Sequence, residues 1–353
     1  MRILSVVGAR PQFVKLAPIC RAMGGLNIQH QIVHTGQHYD ANMSDSFFVD
    51  LQIPAPDLHL GVGSGSHGAQ TGRMIELLES AFVDLKPDCI LVYGDTNSTL
   101  AAALAAVKIH LPLAHLEAGL RSRNRRMPEE HNRVLTDHAA DLCLAPTEAA
   151  LSNLRDEGLA SRSALTGDVM TDVCLDTAER VKDGRVSTKG ITGSSEYILA
   201  TIHRADNTDS RERLSSIIEG LDGLGSLVIL PAHPRLVAKA REFSIDLDLP
   251  NIEIVDPLSY LELISLAMGA RSIVTDSGGL QKEAFLLRVP CVTVRSETEW
   301  QETVDLGWNM LCNDPSQLSV ILNELCPQPT SAAPYGRGGA ALNAAKTILE
   351  WNF

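Results

Sequence analysis

Short apolar, β-branched runs recur along the chain, each bounded by glycine, proline or polar residues. Those at 3–7, 31–35, 89–93, 112–116, 142–145, 197–202, 227–231, 252–255, 272–275 and 291–294 read as strands. Between them, the segments 70–82, 98–109, 148–155, 211–221, 260–268 and 280–287 space their apolar positions as helices do. Alternation of strand and helix throughout a chain predicts parallel sheets covered by helices on both faces. The pattern pauses over 182–195, a stretch rich in Gly, Ser, Thr and Lys without an apolar period, and a domain linker is expected there or just before it, after Gly167-Asp168-Val169-Met170. The expected architecture is therefore two doubly wound α/β domains facing a central cleft, with ligands beyond the carboxyl ends of the strands. No internal repeat or low-complexity tract is present, which excludes solenoids and propellers.

Length agrees with this division, since 353 residues exceed one domain of roughly 150. A hydrophobic share of 44% and a charged share of 21% describe a folded, soluble chain. Thirty Lys and Arg against 43 Asp and Glu give a net charge of −13, which argues against nonspecific attraction to nucleic acid or anionic membrane. Any phosphate must then be gripped locally. Seven scattered cysteines with no Cys-x-x-Cys pair favour reduced thiols and a cytoplasmic location. The N-terminus reads as a first strand rather than a signal peptide, and no membrane span is expected.

Candidate chemistry collects at strand ends. Gly8-Ala9-Arg10-Pro11-Gln12-Phe13-Val14-Lys15 is a glycine turn into a helix whose start suits an anion, with Arg10 and Lys15 adding positive charge. Tyr93-Gly94-Asp95-Thr96-Asn97-Ser98 repeats the turn; Asp95 could cap the helix, but Thr96, Asn97 or Ser98 could do so and leave it free. Glu117 follows an apolar strand directly, where an unpaired carboxylate would cost several kcal/mol, so it must be paired or useful. Glu129 and Glu130 open a helix and suit its dipole, yet three acids at the strand ends of one domain look like general acid/base chemistry. In the second half, His203 and Arg204 end a strand, and His233 repeats the arrangement one strand later. The strongest local signal is Asp276-Ser277-Gly278-Gly279-Leu280-Gln281-Lys282-Glu283. Its bare glycine amides can approach a diphosphate, and Glu283, a turn into the helix, can accept ribose hydroxyls. Val62-Gly63-Ser64-Gly65-Ser66-His67-Gly68 lacks the ending of a P-loop. His34 and His38 have ligand-like spacing but no accompanying carboxylate, and no metal is expected.

The segments GARPQFVKLAP, HTGQHYD, PDCILVYGDTNSTLAAALAA, HLEAGLRS, MPEEHNRVLTDH, APTEAALSNL, TGDVMTD, TIHRADN, DSGGLQKEA, TEWQETV and PYGRG, in that order, resemble the non-hydrolysing UDP-N-acetylglucosamine 2-epimerase family over residues 8 to 338. The resemblance implies a GT-B fold of two Rossmann-like domains: 1–170 carrying most of the acid/base residues, 171–337 binding UDP, and a C-terminal segment 338–353 packing back on the first. It implies interconversion of UDP-N-acetylglucosamine and UDP-N-acetylmannosamine by elimination of UDP to a 2-acetamidoglucal and re-addition. The implied catalytic set is Asp95, Glu117, Glu129 and His203. Arg10, Lys15, Arg133, Arg204, His233, Ser277, Gly278, Gly279 and Glu283 would hold the UDP-sugar, His203 assisting. No cofactor is implied, because substrate and product share one redox state, and a homodimer serving polysaccharide biosynthesis is the family expectation.

The chain departs from the family pattern at several points. Asp206 stands where Glu is usual, Trp300 replaces an Arg, and the segments Gln37-His38-Tyr39 and Ala69-Gln70-Thr71 differ from those that bind a second, activating substrate in one bacterial branch. Alternatives at this stage are an epimerase of a related UDP-2-acetamido sugar, a hydrolysing epimerase that releases N-acetylmannosamine, a GT-B glycosyltransferase and a noncatalytic nucleotide-sugar sensor.

Overall fold

A computed structural model describes residues 1–37, 48, 51–184 and 196–353, the side chain of Arg10 excepted. The chain divides into two compact units, Met1–Val173 with Ala333–Phe353, and Cys174–Ala332.

The first unit is built on strands β1 (Arg2–Val7), β2 (Gln29–His34), β3 (Leu58–His59), β4 (Cys89–Tyr93), β5 (Leu113–Leu116), β6 (Leu142–Ala145) and β7 (Ser163–Leu165). They form a parallel sheet in the order β3-β2-β1-β4-β5-β6-β7. Its helices are α1 (Arg10–Gly25), α2 (His67–Leu85), α3 (Asn97–Lys108), α4 (Pro128–Ala139), α5 (Glu148–Asp156) and the start of α6 (Val169–Lys182). Every residue of β4, β5 and β6 is buried, as expected of strands covered on both faces. Alanines 101, 102, 103, 105 and 106 let α3 lie close to its neighbours in that core.

The second unit pairs β8 (Tyr197–Thr201), β9 (Leu227–Pro231), β10 (Ile252–Val255), β11 (Ser272–Thr275), β12 (Cys291–Thr293) and β13 (Asn309–Leu311) in the parallel order β10-β9-β8-β11-β12-β13. Around them run α7 (Ala205–Thr208), α8 (Arg211–Asp222), α9 (Pro234–Phe243), α10 (Tyr260–Gly269), α11 (Gly278–Leu287), α12 (Gln301–Asp305) and α13 (Leu318–Glu324). The last helix, α14 (Ala340–Glu350), belongs to the first unit and packs on α1 through a face of buried alanines and Ile348.

In both sheets the strand order reverses at one place, between β1 and β4 and between β8 and β11, where ligands of open α/β sheets bind. The strands expected at 89–93, 142–145, 227–231, 252–255 and 272–275 coincide with β4, β6, β9, β10 and β11. Beyond the expected strands lie β3, β7 and β13, each of two or three residues and too short to show alternation. Of the expected linker, residues 185–195 lie outside the described residues. The segment before it is helix. Asp168 accepts the Met170 amide at 2.8 Å, starting α6, which runs unbroken to Lys182. Among the described residues no helix is long and apolar enough to cross a membrane.

Candidate active site

The β1–β4 switch point of the first unit is held by short polar side chains. A Cβ on Gly8 would lie 2.0 Å from Thr35 Oγ1 and 2.3 Å from Ser98 Oγ, so only glycine fits. The Gly8 and Ala9 amides donate to Gln12 Oε1 at 2.8 and 3.1 Å, while Gln12 Nε2 donates to the Tyr93 carbonyl at 3.0 Å, tying the start of α1 to the end of β4. From the next turn of α1, Lys15 extends to Glu117, and the two form a buried ion pair. Gly94, at φ 60°, leaves room for it: a Cβ there would sit 3.1 Å from Glu117 Oε2 and 3.2 Å from Lys15 Nζ.

Glu117 has φ 72°, a left-handed conformation uncommon for a residue with a Cβ and typical of strained functional positions. Thr96, not Asp95, caps α3 through Thr99 N, which frees the Asp95 carboxylate as the sequence allowed. That carboxylate pairs with Arg133 Nη2 at 2.6 Å, and Asn132 Nδ2 donates to the Asp95 carbonyl at 2.9 Å. Arg133 Nη1 reaches Glu130 at 2.9 Å, and Glu130 also accepts the Ser122 and Arg123 amides. Burial would raise the Glu130 carboxyl, but those amides and Arg133 hold it below the ordinary carboxylate range. The half-buried Glu129 lies outside this network. Burial alone would lower the Lys15 ammonium; Glu117 and then Asp95 outweigh it and hold the group above the ordinary lysine value.

In the second unit the β8–β11 switch point is organised by Asp276, which is fully buried. Its carboxylate accepts the His203 amide at 3.0 Å, the Arg204 amide at 2.9 Å and Asn207 Nδ2 at 3.1 Å, and lies 3.2 Å from His203 Nδ1. The His203 ring packs on His233 with centroids 5.1 Å apart, and His233 Nδ1 accepts the Arg235 amide, capping α9. Ser277 caps α11 through Leu280 N, leaving Gly278 and Gly279 as the first residues of that helix. A Cβ on Gly278 would come 2.3 Å from Glu299 Oε1, whereas one on Gly279 would meet nothing closer than Ser277 Oγ at 3.9 Å. Burial would raise the Glu299 carboxyl; Arg295, its 2.9 Å partner, and Arg204 hold it low. Glu283, on the next turn, is buried and accepts the Tyr260 hydroxyl at 2.9 Å. Trp300, at a departure from the family pattern, carries Lys282 Nζ 4.0 Å over its ring.

Of the acids and cations expected of the first half, Lys15, Asp95, Glu117 and Arg133 meet beyond the ends of β4 and β5 and are linked there through their charges. His203, Arg204, His233, Ser277 and Gly278 gather likewise around the second switch point. The Arg10 side chain and His38 lie outside the described residues. His34 instead stacks on His59 with centroids 4.4 Å apart.

A family model described as UDP-N-acetylglucosamine 2-epimerase matches residues 22–349. The chain belongs to that family. Epimerases of this family are isomerases, and this chain is one. It is 48% identical over 355 residues to a UDP-N-acetylglucosamine 2-epimerase homolog of Methanococcus maripaludis, with 99% of both chains covered. It is 47% identical over 318 residues, 88% of each chain, to the UDP-2,3-diacetamido-2,3-dideoxy-D-glucuronate 2-epimerase of Pseudomonas aeruginosa. The crystal structure of the Methanocaldococcus jannaschii UDP-GlcNAc 2-epimerase in complex with UDP-GlcNAc and UDP matches with a TM-score of 0.91 at 39% identity, over 99% of both chains. The GT-B type of fold, with two Rossmann-like parallel-sheet domains, is the one found.

In this epimerase, four residues that build the site's frame, His115, Asp137, Asp276 and Glu299, are ones to which the sequence assigned no role. Asp276 was detectable, because it follows a buried strand as Glu117 does. His115 and Asp137 meet only in the folded chain, 2.6 Å apart.

Proposed function

We propose that this epimerase interconverts UDP-N-acetylglucosamine and UDP-N-acetylmannosamine without net hydrolysis. The C2 proton of the sugar has no carbonyl beside it, so its removal needs help from the anomeric carbon. As the C1–O bond to UDP breaks, positive charge develops at C1 and acidifies C2–H. A base takes that proton, the C–H electron pair becomes the C1=C2 double bond of 2-acetamidoglucal, and UDP leaves with the C1–O pair. A second carrier then protonates C2 on the opposite face while the UDP oxygen re-attacks C1. Two faces need two proton carriers, and Asp95, Glu117, Glu129 and His203 are the set proposed to supply them.

The observation that carries this reading is the buried Lys15–Glu117 pair at the end of β5, beside the Arg133–Asp95 pair at the end of β4. Carboxylates held by cations beyond strand ends are suited to exchanging protons with a bound ligand rather than to packing. The leaving diphosphate needs positive charge and amides. Ser277, Gly278 and Gly279 at the start of α11, together with Arg10, Arg204 and His233, are proposed to provide them, and Glu283 to take the ribose. Lys15 and Arg133 support the sugar side. The same reading takes the working form to be a homodimer.

Proton NMR in deuterated water with UDP-N-acetylglucosamine tests this. Deuterium at C2 in both UDP-sugars is expected, and accumulation of free N-acetylmannosamine alone would mean the hydrolysing reaction instead. A second reading is favoured by the 47% identity to the diacetamido-glucuronate epimerase, against 39% to the solved UDP-GlcNAc enzyme. The chemistry is the same and the sugar differs. Offering both UDP-sugars to one preparation separates the readings by kcat/KM.

A further inference from the structure

Behind the two strand ends of the first unit lies a buried network that the proposed reaction does not use. His115, in β5, is fully buried. Its Nε2 donates to the Gly94 carbonyl at 2.7 Å, since a carbonyl can only accept, and its Nδ1 meets Asp137 Oδ1 at 2.6 Å. Asp137, fully buried in α4, uses its other oxygen to accept the Gly119 amide at 3.0 Å and Arg121 at 2.7 Å. Arg121 in turn makes a two-pronged contact with Glu157, both arms at 2.7 Å. Gly94 immediately precedes Asp95, and His115 and Gly119 flank Glu117 two residues away on either side. The backbone that presents both carboxylates is therefore gripped from behind by one imidazole and one carboxylate.

We propose that His115 is a positioning residue for the reaction. Bridging the two, its ring clamps the Gly94 carbonyl to Asp137 and so fixes the turns from which Asp95 and Glu117 are presented. This rests on the acid/base reading of those two residues. The left-handed backbone at Glu117 is the kind of conformation that persists only when its surroundings over-determine it, and the clamp is part of those surroundings.

The test combines kinetics with a signature of the ring. His115→Gln keeps one donor and cannot span both acceptors. We expect kcat to fall about 10- to 100-fold with UDP affinity within about twofold, because a misplacement near 1 Å costs on that order. We also expect a rise in 2-acetamidoglucal and UDP released to solvent, because misplaced carriers slow re-addition. An unchanged kcat, or a loss matching the unfolded fraction with no released glycal, would overturn the proposal. In the wild-type protein labelled with nitrogen-15 histidine, the His115 ring should carry a slowly exchanging proton on Nε2, held by the Gly94 carbonyl. Absence of such a proton would overturn the clamp whether or not the variant folds. Wild-type C2 exchange with an unaffected His115→Gln would reject only the role of His115, whereas no wild-type exchange would reject the acid/base reading and this role with it.

Discussion

Replacing Glu117 by Gln removes one charge from a buried pair while keeping its shape and one hydrogen bond to Lys15. The side chains of Lys15 and Glu117 are only 9% and 10% exposed, so water does little to compensate. Breaking a buried pair by removing one partner costs about 3–5 kcal/mol; the retained amide oxygen and the remaining attraction of Asp95 and Asp168 place this case near the lower end. Of the influences on Lys15, burial lowers its pKa, and the two contributions of Glu117, charge and hydrogen bond, are among those that raise it. In the wild type the raised pKa means that the pair's stabilisation is fully present below the unfolded lysine value near 10.4 and is lost only as pH climbs through the folded one.

In the variant both contributions of Glu117 are gone, so the folded pKa of Lys15 lies below its wild-type position. Between those two folded values the wild-type native state binds more protons than the variant's, so the stability gap narrows with rising pH, by up to about 1.4 kcal/mol per unit. The gap should therefore be about 3 kcal/mol at pH 7 and shrink as pH rises through the lysine range. Hydrogen exchange of the β4 and β5 amides, corrected for intrinsic rates, reads the opening free energy of the first unit in both proteins. A gap below about 1 kcal/mol at pH 7, or one that does not narrow as pH rises through the lysine range, would refute the coupling of these two groups. Turnover measured on the same samples should fall at least about 100-fold, the scale of losing an acid/base group.

Asp95→Asn should likewise lose at least about 100-fold in turnover, measured as C2 deuterium incorporation, and should leave UDP affinity in titration calorimetry near wild type. Gly8→Ala places a methyl against Thr35 and Ser98, whose hydroxyls bond each other at 2.8 Å, and should destabilise the first unit by about 2–4 kcal/mol in urea unfolding. Asp276→Asn replaces an acceptor of three donors by a group with only one oxygen, and UDP binding should weaken roughly 10- to 100-fold by calorimetry as the His203–Arg204 turn loosens. His30 and His34, both lowered by burial to about 4, should stay neutral across the physiological range. Because the unfolded rings protonate near 6.5, stability should decline as pH falls from there toward 4, and ring NMR should show neither residue titrating above pH 5.

Much of this architecture was legible in the chain because its central strands are buried on both faces. Runs such as Cys89–Tyr93 and Leu142–Ala145 are apolar from end to end and stop at a glycine or proline, so their bounds emerge directly. The carboxylate at Glu117 was legible for a complementary reason, since a charge at the end of such a run must have a partner. Which partner was not legible. Lys15 is 102 positions away, and Asp137 lies on a helix whose polar pattern gives no sign that it turns inward to His115. Glu130 and Glu129 illustrate the same limit: adjacent acids in one first turn differ by a rotation of the helix, and only packing shows that Glu130 is the one enclosed by Ser122, Arg123 and Arg133. Close approach hides in the same way, as with the carboxylate of Glu299 beside Gly278.

The N-terminus of α14 is capped by Asp172, whose carboxylate accepts the Ala340 and Ala341 amides at 3.1 and 2.8 Å across a sequence gap of more than 160 positions. The first unit is thus written in two pieces with the whole of the second between them. During synthesis, domains ordinarily fold in the order they leave the ribosome, but here the earlier-started unit must wait for α14, while the later one has all its strands in hand first. The face of α1 on which α14 packs stays open until residues 340–350 have emerged. Nascent chains stalled before residue 340 should accordingly hold a finished second unit and an unfinished first, and a chaperone that recognises apolar grooves would find its target on the older part of the polypeptide.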